Sequence, residues 1–389
     1  MAARIGFDVT AALTQGGGIG RYTRELIQAL VKEGPEFDYL LFSARPPKFL
    51  PVPDSLPTTP RVTHRPAPID ERWLYRIWHR ARISLPVQAF TGPIDLFHSP
   101  DFVLPPVRGR TPTLLTVHDL SFAHYPETFP PRLVSYLNQV VPRSIARADH
   151  ILADSVSTQR DLASIWGVPE DKVTVLYSGV NERFQPVRDE RELSSVRHKY
   201  SLGDSPFILA VGTIQPRKNY EMLVRAYSRI AEMQPHQLVI AGGRGWLFDG
   251  LLAEINRLGL ADRVRFPGFV DDSDLPALYS AAELFVFPSL YEGFGLPLLE
   301  AMACGTPVIT SEASSLPEVA RYGDDQAAIL LPPANETAWA NTMETLLTDD
   351  RTRDALVEAG FRQANRFRWR YSARQLITLY YDLLARPHP

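Results

Sequence analysis

The chain has 389 residues, too many for one ordinary hydrophobic core, so two domains are expected. Hydrophobic residues make up 45% and charged residues 22%, the balance of a water-soluble globular protein. A net charge of −3 gives no basic field for nucleic acid, one cysteine excludes an internal disulfide, and no apolar run reaches the ~20 residues that span a bilayer.

The N-terminal half alternates apolar strands with helical patterns. Arg4 to Val9 reads as a strand. The glycine loop Gly16-Gly17-Gly18-Ile19-Gly20 follows, then an amphipathic helix over 22–32. Backbone N–H groups of that loop can approach phosphate or sugar oxygens. A dinucleotide fingerprint needs a third glycine where Arg21 or Thr23 stands, and an acid after the second strand, where Phe42-Ser43-Ala44-Arg45 offers none. The NAD reading therefore fails. Further strands are expected at 38–42, 94–98, 113–117, 150–153 and 172–176, and helices at 132–148 and 157–166. Residues 50–68, rich in Pro and Thr, read as an irregular loop.

Segment 70–83 reads as one amphipathic helix. Trp73, Leu74, Ile77, Trp78 and Ala81 would share one face, and Arg72, Arg76, His79 and Arg80 the other. Such a basic helix can lie in a membrane interface or pack on its own domain, with equal weight here. His98 and His118 each end a strand, followed by Asp101 and Asp119. Residues 181–205 read as a linker with a short helix.

A second series begins with a strand at 207–211 and continues at 237–241, 264–266, 284–287 and 307–310. Helices are expected at 220–233, 251–258, 274–280, 296–303 and 338–348. After its first strand comes Gly212-Thr213-Ile214-Gln215-Pro216-Arg217-Lys218-Asn219, a basic pair suited to a diphosphate. Ala241-Gly242-Gly243-Arg244-Gly245-Trp246 is a further glycine loop. Asp271-Asp272-Ser273-Asp274 is read as a helix N-cap region and not as a metal site. The densest signal is Ser289-Leu290-Tyr291-Glu292-Gly293-Phe294-Gly295-Leu296-Pro297-Leu298-Leu299-Glu300, two carboxylates separated by a glycine turn and a helix start. Gly293 and Gly295 permit a tight turn, Pro297 suits a first helical turn, and the free N–H groups there favour an anion. Cys304 follows in the same helix and reads as a small core residue. Strands alternating with helices imply parallel sheets covered on both faces, with ligands at the carboxyl ends of the strands.

The stretch from Glu292 to Glu300 resembles the E-x7-E motif of retaining glycosyltransferases with the GT-B fold, in particular glycosyltransferase family 4. The resemblance covers nearly the whole chain and is strongest from Gly212 to Pro307. It implies an α/β architecture: two Rossmann-like, doubly wound domains facing a central cleft. An acceptor-side domain would span 1–185, a donor-binding domain 200–369, and the helix at 370–389 would pack back on the first.

The same resemblance assigns roles. Glu292 would hold the donor sugar, Glu300 the ribose, and Arg217 with Lys218 the phosphates. His118 would lie beside the transferred sugar, where it could bond a sugar hydroxyl. Gly18 would border the donor and acceptor pockets. The backbone at Phe269 and Val270 would meet the base, and Gly242 would give close backbone access. Gly212, Thr213, Gly293, Phe294, Gly295 and Leu296 complete the expected nucleotide-sugar site. Thr213 stands where many members carry another Arg, so a third cation is absent. His98 and Asp101 are weaker candidates for acceptor contacts.

The implied activity is transfer of a hexose from a nucleotide diphosphate sugar to an acceptor hydroxyl, with retention and without a metal or other cofactor. Mannose from GDP-mannose is the expected donor, because Thr-Ile-x-Pro-Arg-Lys-Asn and Val-His-Asp-Leu resemble mannosyltransferases of surface-polysaccharide assembly. UDP-glucose transfer, a phosphorylase or a sugar-phosphate synthase are the alternatives on the same fold. The expected partners are the nucleotide sugar and a glycan or lipid-linked acceptor, with no nucleic acid. The expected place is the cytoplasm, at the inner face of the membrane if 70–83 docks there.

Overall fold

The computed structural model describes residues 2–45 and 56–386. The chain forms two compact units. One contains residues 1–120, 132–179 and 369–389; the other contains 121–131 and 180–368.

The first unit is built on seven parallel strands: β1 (Arg4–Asp8), β2 (Asp38–Arg45), β3 (Val62–Asp70), β4 (Leu96–Ser99), β5 (Thr113–Val117), β6 (His150–Ala153) and β7 (Val173–Val175). Their order is β3-β2-β1-β4-β5-β6-β7, so the winding direction reverses between β1 and β4. Every residue of β4, β5 and β6 is buried, the signature of a sheet covered on both faces. The helix Ile19–Glu33 covers one face together with the C-terminal helix Trp369–Ala385. The latter is fastened by Tyr380, whose hydroxyl meets His98 Nδ1 at 2.7 Å, and by Arg374, paired with Glu33 at 2.7 Å.

The second unit carries six parallel strands: β8 (Phe207–Val211), β9 (Gln237–Ala241), β10 (Val264–Gly268), β11 (Leu284–Phe287), β12 (Val308–Ser311) and, after a small hairpin of β13 (Arg321–Tyr322) and β14 (Asp325–Gln326), β15 (Ile329–Leu331). Their order, β10-β9-β8-β11-β12-β15, reverses between β8 and β11. Trp339, fully buried on the helix Glu336–Thr348, anchors the core that Tyr227, Leu223, Ile240 and Val286 build with it.

Several expectations need correction. Residues 50–55 of the expected loop lie outside the described chain, but Val62–Asp70 is a strand. It sits at the sheet edge, where Pro66 and Pro68 need supply no ladder N–H. Segment 70–83 is not one helix. Asp70 caps a short helix, Glu71–Tyr75, its Oδ1 accepting from the Trp73 N–H at 3.0 Å. The chain then widens into a π turn, Arg76–Arg80, and ends at Arg82 with φ +55°. The extra residue per turn splits the expected apolar face. Leu74 is buried, Trp78 donates to the Leu85 carbonyl at 2.8 Å, and Trp73 remains 54% exposed under the Arg76 guanidinium. The helix expected over 220–233 stops at Ser228, and the helix Asp350–Arg366 was not foreseen.

Candidate active site

In the second unit the winding reversal places the loops after β8 and β11 side by side. These loops carry the basic pair and the glutamate turn. Such a reversal is where open parallel sheets bind ligands. Backbone pairing clamps the neighbouring loops. Gly242 donates to the Gly268 carbonyl at 2.8 Å, Ile214 to Gly243 at 2.9 Å, and Gly245 to Ile214 at 3.0 Å. Gly242 has φ +152°, and a Cβ there would stand 2.0 Å from the Gly212 carbonyl oxygen, so only glycine fits.

Pro216–Lys218 forms one 3-10 turn, closed by Asn219 in the left-handed region. Asn219 fixes the turn by donating to the Pro288 and Pro333 carbonyls at 3.1 and 2.8 Å. Lys218 Nζ lies 2.6 Å from Glu292 Oε1, and Arg217 lies 3.0 Å from Glu292 Oε2. Arg217 also donates to the Tyr291 carbonyl. The three side chains are about one-tenth exposed. Burial pushes the Glu292 pKa up, but Arg217 and Lys218 outweigh it and hold the carboxyl at about 2. Two cations thus share one carboxylate. An anion arriving at the cations would free Glu292 to accept from neutral hydroxyls.

Ser314 and Ser315 hold the glutamate turn from behind. Ser314 Oγ accepts from the Glu292 N–H at 2.8 Å, and Ser315 Oγ donates to the carbonyls of Glu292 and Phe294, both at 2.9 Å. Gly295, at φ +114°, starts the helix Leu296–Ala303 without a side-chain cap. Glu300 lies on that helix, 2% exposed, accepting from Tyr279 at 2.8 Å. The segment 121–131 belongs to this unit as well. His124 stacks on Tyr291 at 5.2 Å, and the Trp246 indole donates to the Thr128 carbonyl at 2.6 Å.

The other expected residues of this unit differ in exposure. Phe269 is 57% exposed beside Gly268, whereas the Val270 side chain is buried and can offer only backbone. Thr213 is exposed next to Gly212. The acidic run is the N-cap region of the helix Leu275–Ser280, as expected: Asp274 stands at the N-cap, makes no side-chain cap bond, and with Asp271 holds Lys199, at 2.5 and 2.8 Å. Among the described residues no group of three His, Cys, Asp or Glu side chains is placed to hold a metal ion. Cys304 is buried, which pushes its thiol pKa up.

In the first unit, His118 and Asp154 follow the paired strand residues Val117 and Ala153, so register brings them together. Nδ1 lies 2.8 Å from Asp154 Oδ2, and Nε2 lies 3.0 Å from the Pro100 carbonyl. A carbonyl only accepts, so Nε2 carries hydrogen. Burial lowers the His118 pKa, yet Asp154, Asp101 and the Pro100 carbonyl more than reverse this, to about 9. The ring is therefore an imidazolium at neutral pH, packed edge-on at 4.8 Å from Tyr22. Both nitrogens have protein partners, so the expected bond to a sugar hydroxyl is not available in this arrangement. His98 is fully buried between Tyr380 and Thr116, and burial lowers its pKa to about 3. It is a core residue and not an acceptor contact. Asp101, in the loop after β4, accepts from the Phe102 N–H at 2.7 Å. Gly18, at φ +52°, precedes the first long helix. Its loop is pinned by Arg24, which donates to the carbonyls of Ala12, Gln15 and Gly16 at 2.8–2.9 Å.

Sequence reasoning missed Asp154, Ser314, Ser315 and Arg24. Asp154 ends the strand next to that of His118, a signal legible once strand order is known. The serines and Arg24 carry no local signal.

Known proteins resemble this chain in sequence and in fold. A family model described as glycosyl transferases group 1 matches residues 195–363, and one described as glycosyltransferase family 4 matches residues 16–184. The O-antigen chain mannosyltransferase B of Escherichia coli is 32% identical over 377 residues, 93% of this chain and 95% of that relative. The serotype-specific mannosyltransferase WbdA of Escherichia coli is 35% identical over 254 residues, 64% of this chain and 30% of that much longer protein. Among solved structures, sucrose-phosphate synthase from Thermosynechococcus elongatus superposes with a TM-score of 0.77 at 24% identity, covering 98% of this chain and 99% of that one. With its two Rossmann-like units and a relative matched over almost its full length, the chain belongs to glycosyltransferase family 4 and has the GT-B fold.

Proposed function

We propose that this glycosyltransferase moves mannose from GDP-mannose to a hydroxyl of a growing polysaccharide or glycolipid, retaining anomeric configuration. The observation that carries the reading is the buried cluster in which Arg217 and Lys218 share Glu292. On diphosphate binding the cations turn to the phosphates, Glu292 is released to the sugar hydroxyls, and the N-terminus of the helix Leu296–Ala303 adds positive potential. Glu300 meets the ribose by exchanging its Tyr279 partner, and Phe269 flanks the base. His118 acts as a fixed imidazolium rather than as a proton shuttle. No metal is required, since the side-chain cations supply the charge. The mannosyl choice is supported by what the relatives' names say they transfer. The acceptor is glycan or lipid-linked, and the enzyme works at the cytoplasmic face of the membrane, which it meets through the exposed Trp73 and the arginines around it.

The test is a panel of nucleotide sugars. GDP-mannose at 100 times its dissociation constant should add about 2.7 kcal/mol of stability, seen as a raised melting temperature. Transfer to a mannose-terminated oligosaccharide should give an α-linked product by NMR. Stabilisation by UDP-glucose alone would replace the donor, and a β-linked product would remove retention.

A further inference from the structure

The first unit contains an open cavity of about 1180 Å³, lined by none of the residues assigned to the nucleotide-sugar site. Its walls come from the π turn and the chain after it, from the segment before β5, and from the end of the helix Pro131–Arg147. Four arginines line it: Arg82, Arg108, Arg143 and Arg147. No carboxylate lines it, and among the described residues none of the four is paired with an Asp or Glu. The remaining wall is largely apolar, with Trp78, Ile83, Val107 and Val140 prominent.

Three features of this wall oppose folding. Arg143 and Arg147 are one helical turn apart, where like charges repel. Arg147 reaches solvent, yet partial burial lowers its pKa and no carboxylate offsets that shift. Arg82 adopts a left-handed backbone, φ +55°, that a side chain seldom accepts. His79, on the same wall, is held neutral with a pKa of about 4 by burial and by the fields of Arg147 and Arg143. A bound anion relieves the repulsion, and a guanidinium fork matches phosphate oxygens two at a time.

We infer that this cavity is a binding site for a phosphate-bearing amphiphile, its phosphate held by Arg82, Arg108, Arg143 and Arg147 and its apolar part against Trp78, Ile83 and Val140. The site is separate from the Arg217–Lys218 cluster and does not depend on the transferase reading. Two sources share this chemistry: the headgroup of an anionic glycerolipid, and an isoprenoid phosphate.

The experiment is calorimetric titration of the full chain with dihexanoylphosphatidic acid and, separately, with farnesyl phosphate, both below their micelle concentrations and in excess GDP to occupy any nucleotide site. At least one should bind. The triple variant Arg82→Gln, Arg108→Gln, Arg143→Gln should weaken that binding tenfold or more. Arg147 is left in place because it also donates to the Pro105 carbonyl at 2.7 Å. Arg132→Gln with Arg160→Gln, exposed in the same unit and outside the cavity, should change it less than twofold. Inorganic phosphate should bind more weakly than the amphiphile, and dihexanoylphosphatidylcholine should not compete. The tighter of the two amphiphiles identifies the source. Failure of both to bind, equal loss in the two variant sets, or equal affinity for inorganic phosphate would overturn the inference. An unchanged melting temperature of the triple variant without ligand, or a raised one, confirms that loss of binding is not loss of fold.

Discussion

At the scale of single residues, the proposed donor site works by an exchange of partners around Glu292. Removing Lys218 or Arg217 would then take a cation from the phosphate that develops charge. Lys218→Ala and Arg217→Ala should each lower kcat/KM about 100- to 1000-fold, equivalent to roughly 2.7–4 kcal/mol if the loss resembles that of one oxyanion donor. Circular dichroism should show the fold retained, because the other cation still compensates the carboxylate. Near-normal turnover in both variants would remove them from the phosphate site. His118 gives a second residue-scale prediction. Its folded pKa of about 9 exceeds its ordinary value of 6.5, so its stabilising pair with Asp154 is complete below pH 6.5 and is lost as pH rises through 9. Glu292 has the opposite sign: held at about 2 instead of 4.5, it stabilises above pH 4.5 and fails as pH falls toward 2. Melting temperatures should therefore decline between pH 7 and 9.5 in the wild type and decline less steeply in Asp154→Asn. Equal slopes would mean that the pair does not carry this charge.

At the scale of elements, what could be read in advance depended on whether the signal was local. Strand β8, its basic loop, and the turn and helix after β11 announce themselves through apolar runs, Gly and Pro at set positions, and charged residues between. Alternation of strands and helices implies a parallel sheet, but the proximity of these loops follows from the strand order, in which β8 and β11 are neighbours. Strand β3 was hidden because Pro66 and Pro68 argue against a strand everywhere except at an edge. The π turn at Arg76–Arg80 was hidden because its sequence is helical, and only packing shows that it widened. Ser314 and Ser315 support the site from after β12, at a distance no spacing rule encodes. The clamp between loops supplies an element-scale test. Gly242→Ala must displace the Gly212 carbonyl and should cost at least ~2 kcal/mol in chemical denaturation, with loss of donor binding. Gly243→Ala, with open space around its Cβ, should cost under ~1 kcal/mol. Similar effects of the two substitutions would refute the clamp.

At the scale of the whole molecule, the chain passes between its two units several times, since 121–131 joins the second unit and 369–389 the first. The second unit carries the cluster of Arg217, Lys218 and Glu292, and the first carries His118 and the exposed Trp73 with the arginines near it. No helix among the described residues is long and apolar enough to cross a membrane. Membrane contact would thus rest on the surface, where each basic residue contributes about 1 kcal/mol near anionic lipid. Wild-type protein should sediment with anionic vesicles at low salt, and Arg72→Gln, Arg76→Gln, Arg80→Gln together should release it without unfolding. Absence of wild-type sedimentation would make this an ordinary surface. Transfer should persist in excess EDTA; loss of activity restored by magnesium or manganese would show that the side-chain cations are not sufficient.

The central claim is that Arg217, Lys218 and Glu292 form the diphosphate-sugar site. Isothermal titration of GDP-mannose and of GDP into wild type, Lys218→Ala and Glu292→Gln tests it most directly. Wild type should bind both ligands. Lys218→Ala should lose most affinity for both, because the phosphates are common to them. Glu292→Gln should weaken GDP-mannose more than GDP, because only the former brings sugar hydroxyls to that carboxylate. Unchanged affinities in Lys218→Ala, or equal changes for the two ligands in Glu292→Gln, would contradict the account.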